Sequence, residues 1–566
     1  MAAPRIGVFI CHCGTNIGGI VDVPQVVEYA KSLPYVVHAE ANMYTCSEEG
    51  ISSIKHAIKE YDLNRVVVAS CTPRTHQPLF RNACADAGLN PYLFEFVNIR
   101  EHCSWIHMKN RREATEKAKE LVKMGVAKAR WLDAQEEFES DVYPAAMVIG
   151  GGVAGMSAAL NLANQGFEVH LVEKEPKLGG RLLKLNRIFT INKDPSELVE
   201  SIVKAVEGHS KIRLHMPAVV KAASGYIGNF DISVDEGGKE VSFKAGVIIV
   251  ATGAQVLKPE LYRYGELANV LTQLDLEQRL KDGELGEFQN VVMINCVGAR
   301  IPERPYCSRV CCMTAIKNAA LMKEINPEAK VYVLYRDLMT YGVEFEEYYR
   351  EAKEAGVRFI RYTPSKLPQV IGAERVELVR VYDELMDMEL ELPCDLLVLA
   401  TPLIPNDDNE ELSRMLKVPI GDGGFFLEAH VKLRPVEFAT DGVYVGGSCR
   451  WPADIRESIT QGYAAASEAA IPLRQGLVKV EAITATVDPK ICKGCGTCAL
   501  VCPFDAIELK ESEIRGLEGK IVSEVNTALC KGCGLCAAAC PNGAIQQRGF
   551  TDMQLLSMVN ALSGKR

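Results

Sequence analysis

Two cysteine motifs near the C-terminus restrict most strongly what this chain can fold into. The stretches ICKGCGTCALVCP and LCKGCGLCAAACP both follow the spacing C-x2-C-x2-C-x3-C-P. This is the bacterial two-cluster ferredoxin pattern, in which the fourth cysteine of each motif ligates the cluster of the other. The spacing therefore predicts two [4Fe-4S] clusters. The first is assigned to Cys492, Cys495, Cys498 and Cys540, and the second to Cys530, Cys533, Cys536 and Cys502.

The size and charge of the chain set wider limits. At 566 residues it is too long for one hydrophobic core, so three or four domains are expected. The net charge of −10 argues against nucleic acid as a partner. No apolar run approaches the roughly 20 residues that cross a bilayer, and the first residues lack the pattern of an export signal. We therefore expect a cytoplasmic protein without a membrane partner.

Cysteines also mark the first 140 residues, where strand-like and helix-like segments alternate as in a small parallel α/β domain. Twenty cysteines in a long chain without an export signal favour metal or redox chemistry over disulfides. Because the carboxyl ends of parallel strands meet at one edge of a sheet, thiols at strand ends are expected to converge. Buried apolar packing is the alternative, which we favour for the isolated Cys84 and Cys394. Four of five strand-end thiols could hold a third cluster, the candidates being Cys11, Cys13, Cys46, Cys71 and Cys103.

A dinucleotide fingerprint follows at residues 145–173. The strand AAMVIG leads into Gly150, Gly152 and Gly155, then a helix, then a second strand that ends in Glu173. The glycines permit a tight turn, a close approach of a pyrophosphate and close packing of helix on strand. Glu173 is placed to accept a hydrogen bond from a ribose hydroxyl. This combination predicts a dinucleotide site rather than an ordinary glycine-rich turn.

Two later strand ends indicate which dinucleotide is bound. KAGVIIVATGA and DGVYVGGSCR, taken with the fingerprint, resemble the FAD domain of the thioredoxin reductase and glutathione reductase class. That resemblance implies FAD and a second, inserted dinucleotide domain for NAD(P)H. The expected cofactor-binding residues are Gly150, Gly152, Val153, Ala154, Gly155, Glu173, Lys174, Gly180, Arg181, Ala251, Thr252, Gly253, Gly446 and Gly447. No side chain is assigned a catalytic role, since the flavin ring itself supplies the chemistry.

The second dinucleotide domain carries cysteines where its own fingerprint would stand. After the strand NVVMIN the chain shows Cys296, Cys307, Cys311 and Cys312, and no complete glycine fingerprint opens the next helix. Four thiolates are enough to ligate a fourth cluster. A zinc ion and a dithiol redox pair are the alternatives. We favour the cluster because the surrounding chain is already built for electron transfer.

These pieces in this order resemble the A subunit of heterodisulfide reductase, a flavin and iron-sulfur family. The resemblance rests on ICHCG, SCTPR, REHCSW, GGGVAGM, LGGR, PYCSRVCC, YRDLMTYG and the paired ferredoxin motifs. It implies an oxidoreductase component with FAD that performs flavin-based electron bifurcation, and the cysteine sets named above predict four [4Fe-4S] clusters. One departure is that the methanogen subunits carry an extra ferredoxin module inserted in the flavin domain, whereas LGGRLLKLNRIFTINKDPSEL continues here without a cysteine, so four clusters are predicted instead of six.

The resemblance also implies partners. They are B-type and C-type subunits, a hydrogenase or formate dehydrogenase-type donor module and ferredoxin, with the chain as a homodimer inside a larger complex. Two other functions stay open: a wiring subunit that passes electrons without bifurcation, and an NAD(P)H-dependent flavin reductase, which the missing second fingerprint disfavours. The expected fold is α/β, with an N-terminal α/β iron-sulfur domain at 1–140 and an FAD domain with the cluster motif of 296–312 at 141–480. An α+β two-cluster ferredoxin domain at 481–548 and a helical tail at 549–566 follow.

Overall fold

The computed structural model describes residues 3–189, 191 and 193–564. The chain divides into two compact units. One consists of Met1–Ser140 together with Lys479–Arg566, and the other is Asp141–Val478. Each unit contains a parallel sheet with helices between its strands, so the predicted α/β class is confirmed. Within the described ranges, every helix is too short or too polar to cross a membrane.

The N-terminal segment forms a four-stranded parallel sheet in the order β2-β1-β3-β4. Side chains alternate across it, because Val8 and Ile10 pack with α1 and α4 while Phe9 packs with α2 and α3 on the other face. The elements are β1 (Ile6–Cys11), α1 (Val23–Lys31), β2 (Val36–Asn42), α2 (Glu48–Glu60), β3 (Arg65–Ser70), α3 (Pro73–Asp86), β4 (Phe94–Asn98), a π-helical turn (Arg100–Ser104), α4 (Arg111–Ala129) and β5 (Phe138–Asp141).

The second unit opens with a five-stranded parallel sheet in the order β23 (Val443–Val445), β12 (Val247–Val250), β6 (Ala145–Ile149), β7 (Glu168–Val172) and β8 (Ile212–His215). A three-stranded antiparallel sheet, β11-β10-β9, follows β8 and returns the chain to β12. The elements of this first half are β6 (Ala145–Ile149), α5 (Val153–Asn164), β7 (Glu168–Val172), α6 (Pro195–Glu207), β8 (Ile212–His215), β9 (Ala218–Tyr226), β10 (Asn229–Glu236), β11 (Lys239–Ala245), β12 (Val247–Val250) and β13 (Gln255–Val256).

The inserted half of the second unit has its own five-stranded parallel sheet, in the order β14-β21-β15-β16-β17. The cluster motif occupies the connection from β15 to α8. The elements are β14 (Val270–Thr272), α7 (Gln273–Asp282), β15 (Asn290–Ile294), α8 (Val310–Ile325), β16 (Lys330–Tyr335), α9 (Val343–Glu354), β17 (Arg358–Arg361), β18 (Gln369–Ile371), β19 (Leu378–Asp383), β20 (Met388–Pro393), β21 (Leu396–Leu399) and β22 (Leu403–Ile404).

The chain then returns to the first half and continues into the ferredoxin segment. The returning elements are α10 (Asn409–Leu416), β23 (Val443–Val445), α11 (Ile455–Gln475) and β24 (Leu477–Val480). The ferredoxin segment contains two antiparallel strand pairs, β25 with β28 and β26 with β27. Its elements are β25 (Ala485–Val487), α12 (Thr497–Leu500), β26 (Ile507–Glu511), β27 (Ile521–Val525), α13 (Leu535–Ala539), β28 (Ile545–Gln547) and the tail helix α14 (Asp552–Ser563). In the same unit α14 packs on α4, where Gln554 donates to the carbonyl of Trp131 at 2.8 Å.

Candidate cofactor sites

The loop between β6 and α5 is shaped for close approach. A Cβ atom on Gly150, where φ is 110°, would lie 2.4 Å from the carbonyl oxygen of Ala251. A Cβ atom on Gly155 would lie 1.9 Å from the oxygen of Gly150, so only glycine lets α5 begin this near the strand. Gly152 instead faces open space at the start of α5. Backbone N–H groups at a helix start bind anions, so this gap suits a pyrophosphate.

Glu173 is held rigidly at the end of β7. Its carboxylate accepts hydrogen bonds from the N–H groups of Gly151 at 2.6 Å and Glu175 at 2.7 Å. A carboxylate has about four acceptor positions, so it can still accept from a ribose hydroxyl. The acid borders a cavity of about 220 Å³, whose lining includes Gly150, Glu173, Lys174, Lys221, Thr252 and Met415. The nucleoside end of a dinucleotide fits this position.

Arg181 has an unused donor beside the same loop. Its Nη2 donates to Ser448 Oγ at 3.3 Å, whereas Nη1 is buried without a hydrogen-bond partner among the described residues. Burial lowers the pKa of Arg181 to about 10. Gly447 packs against Ala154, the second residue of α5, because a Cβ atom there would lie 2.8 Å from the Ala154 Cβ. A bound anion would satisfy the guanidinium, so the residues present fit FAD.

The cluster motif forms a long turn rather than a phosphate loop. Helix α8 begins at Val310, so Cys307 precedes it while Cys311 and Cys312 lie in its first turn. The motif includes non-glycine residues with positive φ, Cys296 at 62° and Arg309 at 64°. The carbonyl of Ser308 accepts a hydrogen bond from Val310 N at 2.7 Å across Arg309, which makes a strained three-residue turn. This turn brings Cys307 back toward the start of α8.

All four thiols of this motif are electrostatic neighbours. The charges of Cys296 and Cys307 both act on Cys311 and on Cys312. Burial raises the pKa of Cys311 above its usual range and the pKa of Cys312 to about 12. Thiolates are therefore costly here without a cation, and iron would offset that cost because it binds the deprotonated form. The donor set fits a [4Fe-4S] cluster.

The ferredoxin segment contains two small cavities, and each is lined by one of the crossed cysteine sets. One is lined by Cys492, Cys495, Cys498 and Cys540 with Ser523. The other is lined by Cys502, Cys530, Cys533 and Cys536 with Gln547. Backbone N–H groups point at the sulfurs, for example from Gly494 to Cys492 at 3.4 Å and from Ala506 to Cys502 at 3.4 Å. Two clusters fit where the spacing places them.

Four of the five N-terminal candidates lie together at the carboxyl edge of the first sheet. Burial raises the pKa of Cys46, and the neighbouring charges of Cys11, Cys71 and Cys13 raise it further. Cys11 accepts from the N–H of Cys13 at 3.3 Å. Arg100 Nη1 lies 4.0 Å from the Cys13 sulfur, and its guanidinium stacks over Trp105 at 4.7 Å. The strand ends thus bring together Cys11, Cys13, Cys46 and Cys71.

Cys103 is placed differently. It lies in the π-helical turn Arg100–Ser104, fully buried, and its thiol donates to the carbonyl of Ala114 at 3.0 Å. Burial raises the pKa of Cys103 to about 11, and the charge that acts on it is that of Lys117 rather than of another thiol. The structure therefore turns the thiol of this candidate toward α4.

Across residues 3–189, 191 and 193–564, no group of three or more histidine, cysteine or carboxylate side chains is spaced for a single metal ion. A four-iron cluster separates its thiolates by an iron-sulfide core, so its ligands need not converge on one point. Sequence reasoning missed several polar neighbours of these sites, including Ser448, Gln461 and Arg100. Gln461 accepts a hydrogen bond from Gly447 N at 2.9 Å. The signal in the sequence for Ser448 and Arg100 was their position next to a predicted motif.

Comparison with known proteins gives two family matches. Residues 144–469 match the pyridine nucleotide-disulphide oxidoreductase family, and residues 491–544 match the 4Fe-4S dicluster domain family. The first match covers more than half of the chain and agrees with the two parallel sheets of the second unit. The chain therefore has a flavoprotein core of the pyridine nucleotide-disulphide oxidoreductase family and a C-terminal ferredoxin domain of the 4Fe-4S dicluster family.

Relatives match along nearly the whole chain. It is 40% identical to the first CoB--CoM heterodisulfide reductase iron-sulfur A subunit of Methanopyrus kandleri, over 99% of this chain and 97% of that protein. It is 39% identical to the A subunit of the H(2):CoB-CoM heterodisulfide,ferredoxin reductase of Methanothermobacter marburgensis, over 90% and 91%. It is 36% identical to the A subunit of the H(2)/formate:CoB-CoM heterodisulfide,ferredoxin reductase of Methanococcus maripaludis, over 99% of both chains. The protein belongs to the family of heterodisulfide reductase A subunits, as an electron-transferring oxidoreductase component with flavin and iron-sulfur domains.

Proposed function

We propose that this chain is the FAD-bearing, four-cluster subunit of a heterodisulfide reductase-type complex and carries out flavin-based electron bifurcation. The observation that carries the proposal is the motif of Cys296, Cys307, Cys311 and Cys312 between β15 and α8. It occupies the position where a nicotinamide domain binds its pyrophosphate. A four-thiol site there would exchange single electrons in place of a hydride, which is what dividing an electron pair requires.

The residues of the second unit would divide the work of holding FAD. The start of α5 at Gly152 would bind the pyrophosphate, Glu173 the ribose and the free Nη1 of Arg181 an anionic or carbonyl oxygen. When bound, FAD supplies the change between two-electron and one-electron chemistry. Around it Gly447, whose N–H donates to Gln461 at 2.9 Å, packs against Ala154 of α5.

The further sets of thiols would connect this centre with partners. We assign one cluster to Cys11, Cys13, Cys46 and Cys71, and two to the crossed sets of the ferredoxin domain. The names of the relatives mention hydrogen, formate, ferredoxin and the CoB-CoM heterodisulfide. By analogy, the partners here would be B-type and C-type subunits, a hydrogenase or formate dehydrogenase-type donor and ferredoxin, in the cytoplasm and with the chain as a homodimer.

The alignment with the Methanopyrus kandleri relative bears on the route to ferredoxin. It spans 659 positions against the 566 residues of this chain, so at least 93 positions of the alignment lack a residue here. This excess agrees with the absence of an inserted ferredoxin module, which the uninterrupted stretch after Gly180 indicates. Bifurcation in this chain would have to deliver the low-potential electron through one of the four remaining clusters.

A redox titration of the flavin tests the proposal. Bifurcation requires that the half-reduced flavin, left after the first electron departs, is a stronger reductant than the fully reduced flavin. The half-reduced flavin is then unstable and must be scarce. We expect the flavin of the full chain, kept anaerobic, to pass between its oxidised and fully reduced forms in one two-electron step. Flavin absorbance measures this step. Two well-separated one-electron steps would instead establish the wiring function, in which electrons are handed on singly.

A further inference from the structure

Arg300 is a charged residue within the cluster motif, and one of its side-chain donors has no hydrogen-bond partner among the described residues. It lies between Cys296 and Cys307 with φ at 57°, a conformation that arginine rarely adopts. Its Nη2 forms an ion pair with Asp337 at 2.8 Å. Its Nη1 is buried and has no hydrogen-bond partner in the part of the chain that the structure describes. A buried donor without an acceptor is costly, so it calls for an acceptor at this position.

Both members of this pair border thiols of the motif. Arg300 follows Cys296 by four residues in the same turn, and its guanidinium lies close enough to that thiol to interact with it electrostatically. On the other side, the Cys312 thiol faces the carbonyl oxygen of Asp337 at 3.7 Å. The pair therefore lies along the edge of the four-thiol group, with its positive end toward Cys296.

The loop that carries Arg300 is supported from the neighbouring strand. Arg336, just after β16, donates from Nη1 to the carbonyls of Ala299 and Arg300 at 3.3 Å each. Asp337 is in turn within 3.7 Å of Arg361. These contacts hold the backbone of the loop at Ala299 and Arg300, while the ion pair with Asp337 holds the Arg300 guanidinium beside the motif.

We propose that Arg300 raises the reduction potential of the cluster ligated at 296–312 and that Asp337 limits that rise; this rests on the proposed function. Reduction adds one electron from the flavin to the cluster, with no bond made or broken, so the site gains one negative charge. A positive charge and a hydrogen bond to sulfur both favour that change, and both act strongly where water is excluded. Arg300 has the positive charge and, in Nη1, a donor without a partner among the described residues that could bond a cluster sulfur, and Asp337 sets how much of the charge remains uncompensated.

The test is a potentiometric titration of the full chain after anaerobic reconstitution, followed by the electron spin resonance of the reduced clusters. The signal of this cluster is identified as the one that Cys307→Ala removes. Arg300→Gln keeps an amide donor but loses the charge, whereas Arg300→Lys keeps the charge but loses the planar pair of N–H donors. Asp337→Asn removes the carboxylate charge. Arg380→Gln is the matched control, because that arginine pairs with Glu389 and Glu391 on the antiparallel hairpin of the same unit.

We expect a lower midpoint potential in Arg300→Gln, a smaller decrease in Arg300→Lys and a higher potential in Asp337→Asn, each at wild-type iron content. The potential in Arg380→Gln should match the wild type. Equal potentials in Arg300→Gln, Asp337→Asn and the control, with the signal present, would overturn the proposal. If Arg300→Gln fails to bind iron, the difference between Asp337→Asn and the control decides. If Cys307→Ala leaves every signal intact, it is the cluster assignment that fails.

Discussion

Lys317 of α8 and Glu277 of α7 form an ion pair in which both side chains are almost fully buried, 2% and 1% exposed. The second oxygen of Glu277 accepts from the N–H of Asn186 at 2.8 Å, and Lys317 also donates to the carbonyl of Arg187 at 2.9 Å. Burial lowers the pKa of Lys317, while the carboxylate of Glu277 opposes this. The pair thus joins the inserted half of the second unit to the segment that follows Gly180–Lys184.

Removing one partner of this pair should be severely destabilising. In Lys317→Met the carboxylate of Glu277 stays buried without a cation, which typically costs about 3–5 kcal/mol. Denaturant unfolding of the full chain followed by flavin fluorescence measures the loss, and Lys317→Met combined with Glu277→Leu should recover most of it. Arg187→Met is the control, because Arg187 pairs with the half-exposed Glu324. Loss of that pair should lower the free energy of unfolding by no more than about 1 kcal/mol. A loss in Lys317→Met no larger than in this control would contradict the expectation.

The flavin half should lose stability in mild acid through a buried histidine pair. His170 Nδ1 lies 2.9 Å from His215 Nε2, and His170 stacks on Phe243 at 3.8 Å. Burial, with the charges of His215 and Arg213, lowers the pKa of His170 to about 4, below its ordinary value of 6.5. The unfolded chain therefore binds the proton more readily, and stability falls as the pH decreases from 6.5 toward 4.

The size of that effect at pH 5 is roughly 1–2 kcal/mol for one histidine. His170→Gln should remove this part of the pH dependence, measured as the difference in unfolding midpoint between about pH 7 and about pH 5. His209→Gln, whose side chain is partly exposed just after α6, is the control and should keep the wild-type difference. An unchanged difference in His170→Gln would show that other groups cause the acid sensitivity.

The N-terminal site can be tested by contrasting two buried cysteines. Cys71 belongs to the group of four thiols, whereas Cys103 donates to the carbonyl of Ala114. We expect Cys71→Ala to lose about four of about sixteen iron atoms per chain, and Cys103→Ala to lose none. Iron and acid-labile sulfide analysis provides the measurement. Loss of iron in Cys103→Ala at unchanged unfolding temperature would place Cys103 among the ligands.

The cluster motif makes a separate prediction about iron. Cys307→Ala should remove about four iron atoms while leaving the two ferredoxin clusters in place. Cys394→Ala is a suitable control, since that thiol is buried apart from the motif and burial raises its pKa to about 12. Unchanged iron content in Cys307→Ala would mean that the motif does not ligate a cluster.

Neither NADH nor NADPH should reduce the flavin of the isolated chain. The turn before α8 has Arg309 at the helix start and thiols in its first turn, so no glycine-lined set of backbone donors receives a pyrophosphate. Anaerobic mixing with excess nicotinamide nucleotide, followed by flavin absorbance, is the measurement, and dithionite serves as the positive control. Rapid bleaching of the flavin by either nucleotide would contradict this prediction and support the NAD(P)H-dependent flavin reductase function.

Local spacing predicted much of these sites because their geometry is itself local. The ferredoxin motifs fix their thiols within a few residues of each other, and the two cavities contain the crossed sets that the spacing indicates. The strand-end rule brought four N-terminal thiols together on a different basis, since these thiols are far apart in the sequence and a parallel sheet places its carboxyl ends on one edge. It could not orient Cys103, because the π-helical turn rotates this side chain toward α4.

Other features depend on contacts that no spacing reveals. Lys317 and Glu277 are 40 residues apart, on helices whose polar residues look like ordinary surface positions in the sequence. Arg300 and Asp337 meet only because β15 and β16 are neighbours in the sheet. Arginine at a position with positive φ cannot be recognised from the sequence, where glycine would be the expected residue. Such pairs require the tertiary structure.

The crossed cavities of the ferredoxin domain have a consequence for the protein in the cell. The buried centre of this domain includes Cys498 and Cys536 with only a few aliphatic side chains, such as Ile507 and Ile545. The core of this domain is small, so the free energy of cluster binding supplies much of its folding free energy. Without the clusters, few apolar contacts stabilise the fold of this segment. If each cluster draws its ligands from both motifs, as we propose from the lining of the two cavities, neither half would mature alone. We expect iron starvation to leave this segment open to proteases, so that the cellular abundance of the protein follows iron supply.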